Sequence, residues 1–112
     1  VIETKNGKIK GLLLTLTDKS LGQVEVYYGI QYASLSGSQL RFLPPTVSNV
    51  RWDNIKPHVS IQPVCPQNLP DIKTSDETVS RERAEHLMRI LPHLKNQAED
   101  CLYLNVYVPV GG

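Results

Sequence analysis

The side chains that could take part in catalysis are few and widely spaced in this sequence. A serine hydrolase holds its nucleophile on a strained Gly-x-Ser-x-Gly turn, so that the hydroxyl is exposed to base and substrate. That pentapeptide is absent, and Ser36-Gly37-Ser38 has only the composition of a loop. The histidines, His58, His86 and His93, lack the His-Glu-x-x-His spacing of zinc proteases, and each is interpreted as a surface or packing residue. We therefore predict no catalytic residue, no metal site and no cofactor here.

The two cysteines, Cys65 and Cys101, could be free buried thiols or one disulfide. They do not form a Cys-x-x-Cys pair, and no His or Cys with metal-ligand spacing accompanies either of them. The spacing alone therefore leaves both states open. Glu99 and Asp100 form an acidic pair directly before Cys101. Adjacent side chains point in different directions, which is poor geometry for a shared general acid and base.

The composition is that of an ordinary small globular domain. The chain has 112 residues, 40% apolar and 21% charged, with a net charge of +1. This charge does not favour nucleic acid or an anionic membrane as partner, and no apolar run approaches the roughly 18 residues that span a bilayer. Arg81, Arg83 and Arg89 alternate with acidic residues, which favours a solvated helix face over a phosphate-binding patch. Because the sequence begins without methionine and ends on Gly111-Gly112, we expect it to be cut from a longer chain.

Hydrophobic periodicity predicts β-structure at the start of the chain. Residues 1–4 alternate, and Asn6-Gly7 supplies the residue types of a type I′ hairpin turn, in which both central positions have positive φ. Residues 8–17 form the predicted return strand. Residues 23–28 alternate with a period of two, so one face of that strand is expected to be buried. Three short sequential strands predict a small antiparallel meander.

The middle of the chain is expected to be irregular. Pro44-Pro45 excludes a helix, because proline lacks the N–H that a helix requires. Trp52, the single tryptophan, is interpreted as a packing anchor more readily than as a ligand platform. Residues 59–64 could form a short strand that ends at the first cysteine.

One helix follows, with an apolar stripe at positions i, i+3, i+4 and i+7. The stripe consists of Ala84, Leu87, Met88 and Leu91. Ser80 is the predicted N-cap, and Pro92 is expected to stop or kink the helix. Met88 is interpreted as core filler.

Residues 101–109 form the strongest predicted strand. Leu102, Leu104, Val106 and Val108 share one parity, and the other parity carries Tyr103, Asn105 and Tyr107. Large side chains on both faces predict a strand within a covered sheet.

Residues 99–109 read Glu-Asp-Cys-Leu-Tyr-Leu-Asn-Val-Tyr-Val-Pro. This stretch resembles the second signature of type-B carboxylesterases and cholinesterases. Other landmarks occur in the family's order: residues 7–11 resemble its first hairpin, residues 28–33 its Phe-x-Gly-Ile-Pro-Tyr-Ala stretch, Arg41-Phe42 with Pro44-Pro45 its Arg-Phe-x-x-Pro stretch, and residues 65–67 the first cysteine of its disulfide loop. Gln31 stands where the family usually has proline, so we expect a local difference in the backbone. The resemblance covers nearly the whole chain.

The resemblance implies an α/β fold, namely the amino-terminal piece of an α/β-hydrolase fold. This piece would contain a small antiparallel sheet, a disulfide loop with one helix, and the first strand of the main sheet. Residues 1–112 would be the amino-terminal part of a single, incomplete carboxylesterase-like domain. The family's oxyanion-hole glycines and catalytic triad come after these positions, so no catalytic residue is carried over.

The resemblance also implies two structural pairs. Cys65 and Cys101 stand at the positions that close the family's first disulfide loop. Arg41 and Glu99 stand where the family has a structural, buried ion pair. Removal of one partner from such a pair leaves a buried charge and costs about 3–5 kcal/mol.

Two functional classes of this superfamily compete. Cholinesterases hold the choline ammonium on a tryptophan inside the first disulfide loop, but residues 66–100 contain no Trp, Tyr or Phe. Residues 85–101 are similar to the corresponding run of arthropod neuroligins. This similarity implies a catalytically inactive adhesion protein on the extracellular face of the plasma membrane, with a protein ligand of neurexin type and a possible homodimer formed through regions outside these residues. The alternative is a secreted serine carboxylesterase.

Overall fold

The computed structural model describes residues 1–35, 42–71 and 79–111. Its elements are β1 (Ile2–Thr4), β2 (Gly7–Lys10), β3 (Leu12–Thr15), a 3₁₀ turn (Lys19–Leu21), β4 (Gln23–Gln31), β5 (Lys56–Pro57), α1 (Arg81–Leu94) and β6 (Tyr103–Pro109). They fall into two compact units, Val1–Gln62 with Leu102–Gly112, and Pro63–Cys101. The loop expected at Ser36-Gly37-Ser38 lies outside the described residues. Small sheets, one helix and a disulfide are the elements expected of the amino-terminal piece of an α/β-hydrolase fold.

The first sheet begins with the hairpin that the sequence predicts. β1 and β2 pair antiparallel with Thr4 opposite Gly7, so the loop between them is Lys5-Asn6. The expected type I′ turn at Asn6-Gly7 is wrong, because Phe42 is the only non-glycine residue with positive φ in the described ranges. The Thr4 side chain stabilises the loop instead. Its Oγ1 accepts hydrogen bonds from the backbone N–H groups of Asn6 and Gly7, each at 3.2 Å.

β5 completes this sheet by pairing parallel with β2. The strand expected at residues 59–64 is wrong: Val64 forms only an isolated bridge, and Pro63 before it has no N–H for a ladder. His58 follows β5 and links two strands through its backbone. Its N–H donates to the carbonyl of Lys10 at 2.8 Å, and its carbonyl accepts from the N–H of Tyr28 at 3.0 Å.

Gly11 separates β2 from β3, and the single return strand expected over residues 8–17 therefore divides between two sheets. A Cβ at Gly11 would collide with the carbonyl oxygen of Val26 and the ring of Tyr27, so only glycine permits this approach. β3 pairs antiparallel with β4, with Leu12 opposite Val26. The antiparallel pairings that the sequence predicts are present, but they do not form one meander.

The core of the first unit gathers around β4, the central strand of the second sheet. Its buried apolar residues are Ile9, Val26, Tyr27 and Ala33. The Tyr27 hydroxyl donates a 2.8 Å hydrogen bond to Glu25 Oε2. This bond to a carboxylate, together with burial, raises the pKa of the Tyr27 phenol. The buried tyrosine therefore remains protonated and keeps its partner.

β6 pairs with β4 and confirms the strongest strand prediction. A bulge in β4 interrupts the ladder, and Asn105 Oδ1 accepts the Gly29 N–H there at 3.0 Å. The described residues do not cover both faces of β6 as expected: Leu104, Tyr107 and Val108 are 39%, 57% and 43% exposed. Among the described residues β6 is an edge strand, which pairs on one side only. β6 therefore carries apolar side chains that the described residues leave exposed.

The second unit contains helix α1, and Ser80 is confirmed as its N-cap, since Ser80 Oγ accepts the N–H of Arg83 at 3.3 Å. Pro92 does not stop the helix, which continues to Leu94. Only the last residues follow Pro92, so the missing N–H interrupts the helix near its end. The expectation for Met88 is wrong, because its side chain is 56% exposed. It lies at the edge of a stripe whose other members are half-buried.

Candidate functional site

A disulfide closes the second unit. The Sγ atoms of Cys65 and Cys101 are bonded at 2.01 Å, with Cα atoms 5.0 Å apart and a sequence separation of 36. The pair is the one that the family resemblance implies, and it excludes the alternative of two free thiols. The bond encloses residues 66–100, which include the whole of α1.

Polar contacts hold the two ends of this loop together beside the disulfide. The Val64 N–H donates to the Asn96 carbonyl at 2.9 Å, and the Val64 carbonyl accepts the Ala98 N–H at 3.0 Å. The Gln97 side chain adds a reciprocal pair: its Oε1 accepts the Gln67 N–H at 3.2 Å, and its Nε2 donates to the Gln67 carbonyl at 2.9 Å. Gln97 therefore acts like one residue of a β-ladder. Sequence reasoning missed this role because a single polar residue after a helix carries no distinctive pattern.

The outer face of α1 is charged and solvated, as the sequence predicts. Arg81 Nε lies 3.0 Å from Glu85 Oε1, and their side chains are 88% and 57% exposed. No residue of α1 is buried. His86 and His93 are both exposed on the helix. This arrangement offers charges of both signs to a partner.

His58, in the first unit, has a packing role. It is 7% exposed, and its Nδ1 lies 3.0 Å from the Tyr28 carbonyl oxygen, so Nδ1 carries the proton in this contact. Its Nε2 is buried and has no hydrogen-bond partner among the described residues. The described ranges contain no group of three or more His, Cys, Asp or Glu side chains that could hold a metal ion.

The pairing of Arg41 with Glu99 stays a prediction, because Arg41 lies outside the described residues. Glu99 is exposed, which lowers the effect we expect for its loss. Exposed ion pairs contribute about 0–1 kcal/mol, so Glu99→Gln should lower the free energy of unfolding by no more than about 1 kcal/mol. Urea denaturation of the full-length protein measures this change. A loss of several kcal/mol would instead support a buried ion pair between Arg41 and Glu99.

The fold and the disulfide loop agree with the comparison to known protein families. The model of the carboxylesterase family matches residues 1–111. The chain therefore belongs to the carboxylesterase family. Its elements resemble the amino-terminal part of that family's domain.

Within this family the chain is similar to neuroligins. It is 34% identical to Neuroligin-3 of Mus musculus over 108 residues, which is 96% of this chain and 13% of that protein. It is 34% identical to Neuroligin-1 of Caenorhabditis elegans over 112 residues, or 96% of this chain and 14% of that protein. With Neuroligin-2 of Homo sapiens the identity is 32% over 109 residues, or 97% of this chain and 13% of that protein. The chain thus spans about one eighth of these relatives.

In the ranges that the structure describes, no helix has the length and apolar character needed to cross a bilayer.

Proposed function

We propose that the full-length protein is a neuroligin-like, catalytically inactive adhesion protein of the cell surface. Residues 1–112 would form the amino-terminal part of a single carboxylesterase-like domain in its extracellular region. The protein would bind a protein ligand of neurexin type, and regions outside these residues would form a homodimer. The similarity to three neuroligins over 96–97% of the chain supports this proposal.

The observation that carries the proposal is the character of the disulfide loop. Aromatic side chains suit the wall of a substrate pocket because they supply rigid apolar surface. Residues 66–100 contain none, and the loop instead carries a helix without a buried residue. Such a loop is better suited to a solvated protein surface than to the wall of an esterase gorge.

The disulfide supports the extracellular location. Disulfides persist in oxidising compartments such as the secretory pathway and the cell surface, and they are rare in the cytosol. The Cys65–Cys101 bond would therefore be stable on the extracellular face of the plasma membrane. A membrane anchor would come from a segment outside these residues.

The test compares ester hydrolysis with partner binding. The full-length extracellular region is expressed from secreting cells, assayed with short-chain aryl esters, and tested for binding to an immobilised neurexin-type ectodomain. We expect saturable binding and no turnover above a heat-inactivated control. Turnover that a serine-directed organophosphate abolishes would overturn the proposal and support a secreted serine carboxylesterase.

A further inference from the structure

The first unit contains a cavity of about 210 Å³ beside its smaller sheet. The β1–β2 hairpin, β5 and the end of β4 contribute to its walls, and Trp52, Gln62 and Tyr103 complete them. Since one water occupies roughly 30 Å³ in the liquid, the cavity has room for a molecule equivalent to about seven waters. It can therefore accept a small molecule.

Among the described residues that line this cavity, one carries a formal charge, a lysine. Lys56 lines it, and the described lining residues include no Asp, Glu or Arg. Among the described residues, the Lys56 ammonium has one recorded contact, the ring of Trp52, whose centroid lies 4.8 Å from Nζ. In the β2–β5 register Lys56 lies beside Ile9, which also lines the cavity. Lys10 is one position further along β2, so its side chain points to the opposite face of the sheet.

Two hydrogen bonds and a close contact with Gly7 hold Trp52 against the β1–β2 hairpin. Trp52 Nε1 donates to the Lys8 carbonyl at 2.9 Å, and its backbone N–H donates to the Asn6 carbonyl at 3.0 Å. Gly7 lies against the ring so closely that a Cβ there would come within 2.6 Å of Cδ1 and Nε1. The Trp52 ring therefore offers the exposed Lys56 side chain a defined surface to lie on.

Neutral polar groups also line the cavity. The Gln62 amide and the Ser48 hydroxyl line the cavity and are half-buried, and neither has a hydrogen-bond partner recorded in the described ranges. Ile9 and Ile30 supply apolar wall. The cavity thus combines one positive charge, unpaired hydrogen-bond donors and an apolar side.

We propose that this cavity binds a small monocarboxylate, with its carboxylate beside the Lys56 ammonium and its apolar body against Ile9 and Ile30. A single cation balances a single negative charge. A phosphate carries close to two charges at neutral pH and favours arginine clusters or helix N-termini, and neither lines this cavity. The Gln62 amide, which also lines the cavity, can supply a neutral hydrogen-bond donor to the ligand. The site is separate from the proposed adhesion function and does not depend on it.

The test uses the full-length protein labelled with ¹⁵N-tryptophan. The Trp52 indole signal is assigned with Trp52→Phe, and the protein is titrated at constant ionic strength with acetate, propionate and benzoate, beside the matched neutral amides. We expect a saturable shift of the Trp52 signal with at least one carboxylate, and none with its amide.

Two lysine variants decide whether the cavity is responsible. Lys56→Gln should weaken binding at least tenfold, whereas Lys10→Gln, which removes an exposed lysine from the opposite face, should leave affinity unchanged. Both lysines are exposed, so neither variant should unfold the protein, and thermal unfolding verifies this. The proposal is overturned if no carboxylate gives a saturable shift, if amides bind equally well, or if Lys56→Gln binds like the unchanged protein.

Discussion

Replacing Cys65 and Cys101 together with serine is expected to lower the free energy of unfolding by about 4 kcal/mol. The disulfide joins residues 36 positions apart, and a cross-link across a loop of that length removes conformational freedom mainly from the unfolded chain. The measurement is urea denaturation of the full-length protein, in which the midpoint falls while the slope reports any change in exposed surface. Secretion from cells should fall as well.

A reduction experiment separates the cross-link from the serine side chains. Dithiothreitol should destabilise the unchanged protein by an amount similar to the double substitution. Dithiothreitol should have no further effect on the double-serine variant, provided that no other disulfide contributes to the measured stability. An unchanged midpoint in the double-serine variant would show that the hydrogen bonds around Gln97 are sufficient to hold the loop ends together.

Gly7→Ala is expected to lower the free energy of unfolding by about 3 kcal/mol, because backbone strain and overpacking each cost about 1–3 kcal/mol. Gly7 has a φ of +145°, and a Cβ there would come within 2.5 Å of the Trp52 carbonyl oxygen. The clash is with the backbone of Trp52 and with its ring, and one hydrogen bond holds each of them, so a side-chain rotation cannot relieve it. The same urea assay measures the loss.

Gly22→Ala is the matched control for this prediction. Gly22 also has a positive φ, +73°, but nothing lies within 4 Å of the position that a Cβ would take. Its ψ of −161° places it in a region that is nearly restricted to glycine, so the substitution should show the conformational cost alone, about 1–3 kcal/mol, and should lose less stability than Gly7→Ala. Equal losses at Gly7 and Gly22 would mean that the contact with Trp52 contributes nothing.

Local rules predicted the elements whose causes are local. Ser80 caps α1 because its hydroxyl reaches an N–H within the same turn, and the β1–β2 hairpin forms between strands that are neighbours in sequence. The Cys65–Cys101 bond was implied by resemblance to a family, since spacing alone left two free thiols open. Pairing of distant cysteines depends on where the chain returns, and no local pattern contains that information.

Two of the errors involve contacts with a segment distant in sequence. The break at Gly11 depends on the backbone of Val26, and residues 8–17 have no internal signal for it. The turn at Lys5-Asn6 depends on the Thr4 hydroxyl, and Asn6 Nδ2 is used elsewhere, as a donor to the Ser48 and Val50 carbonyls at 3.1 and 2.7 Å. Propensity for a type I′ turn was therefore overridden by tertiary hydrogen bonds.

By itself the sequence determined the strand and helix periods, the helix cap, the absence of aromatic residues from the disulfide loop, and the family to which the chain belongs. Each of these follows from residue types read in order, because side-chain period and local hydrogen bonding act over a few positions. The tertiary structure alone decided the division of the strands between two sheets, the role of Gln97 in closing the loop, and the placing of Lys56 on the Trp52 ring above a cavity. These features join residues far apart in sequence, and their energies depend on distances that exist only after the chain has folded.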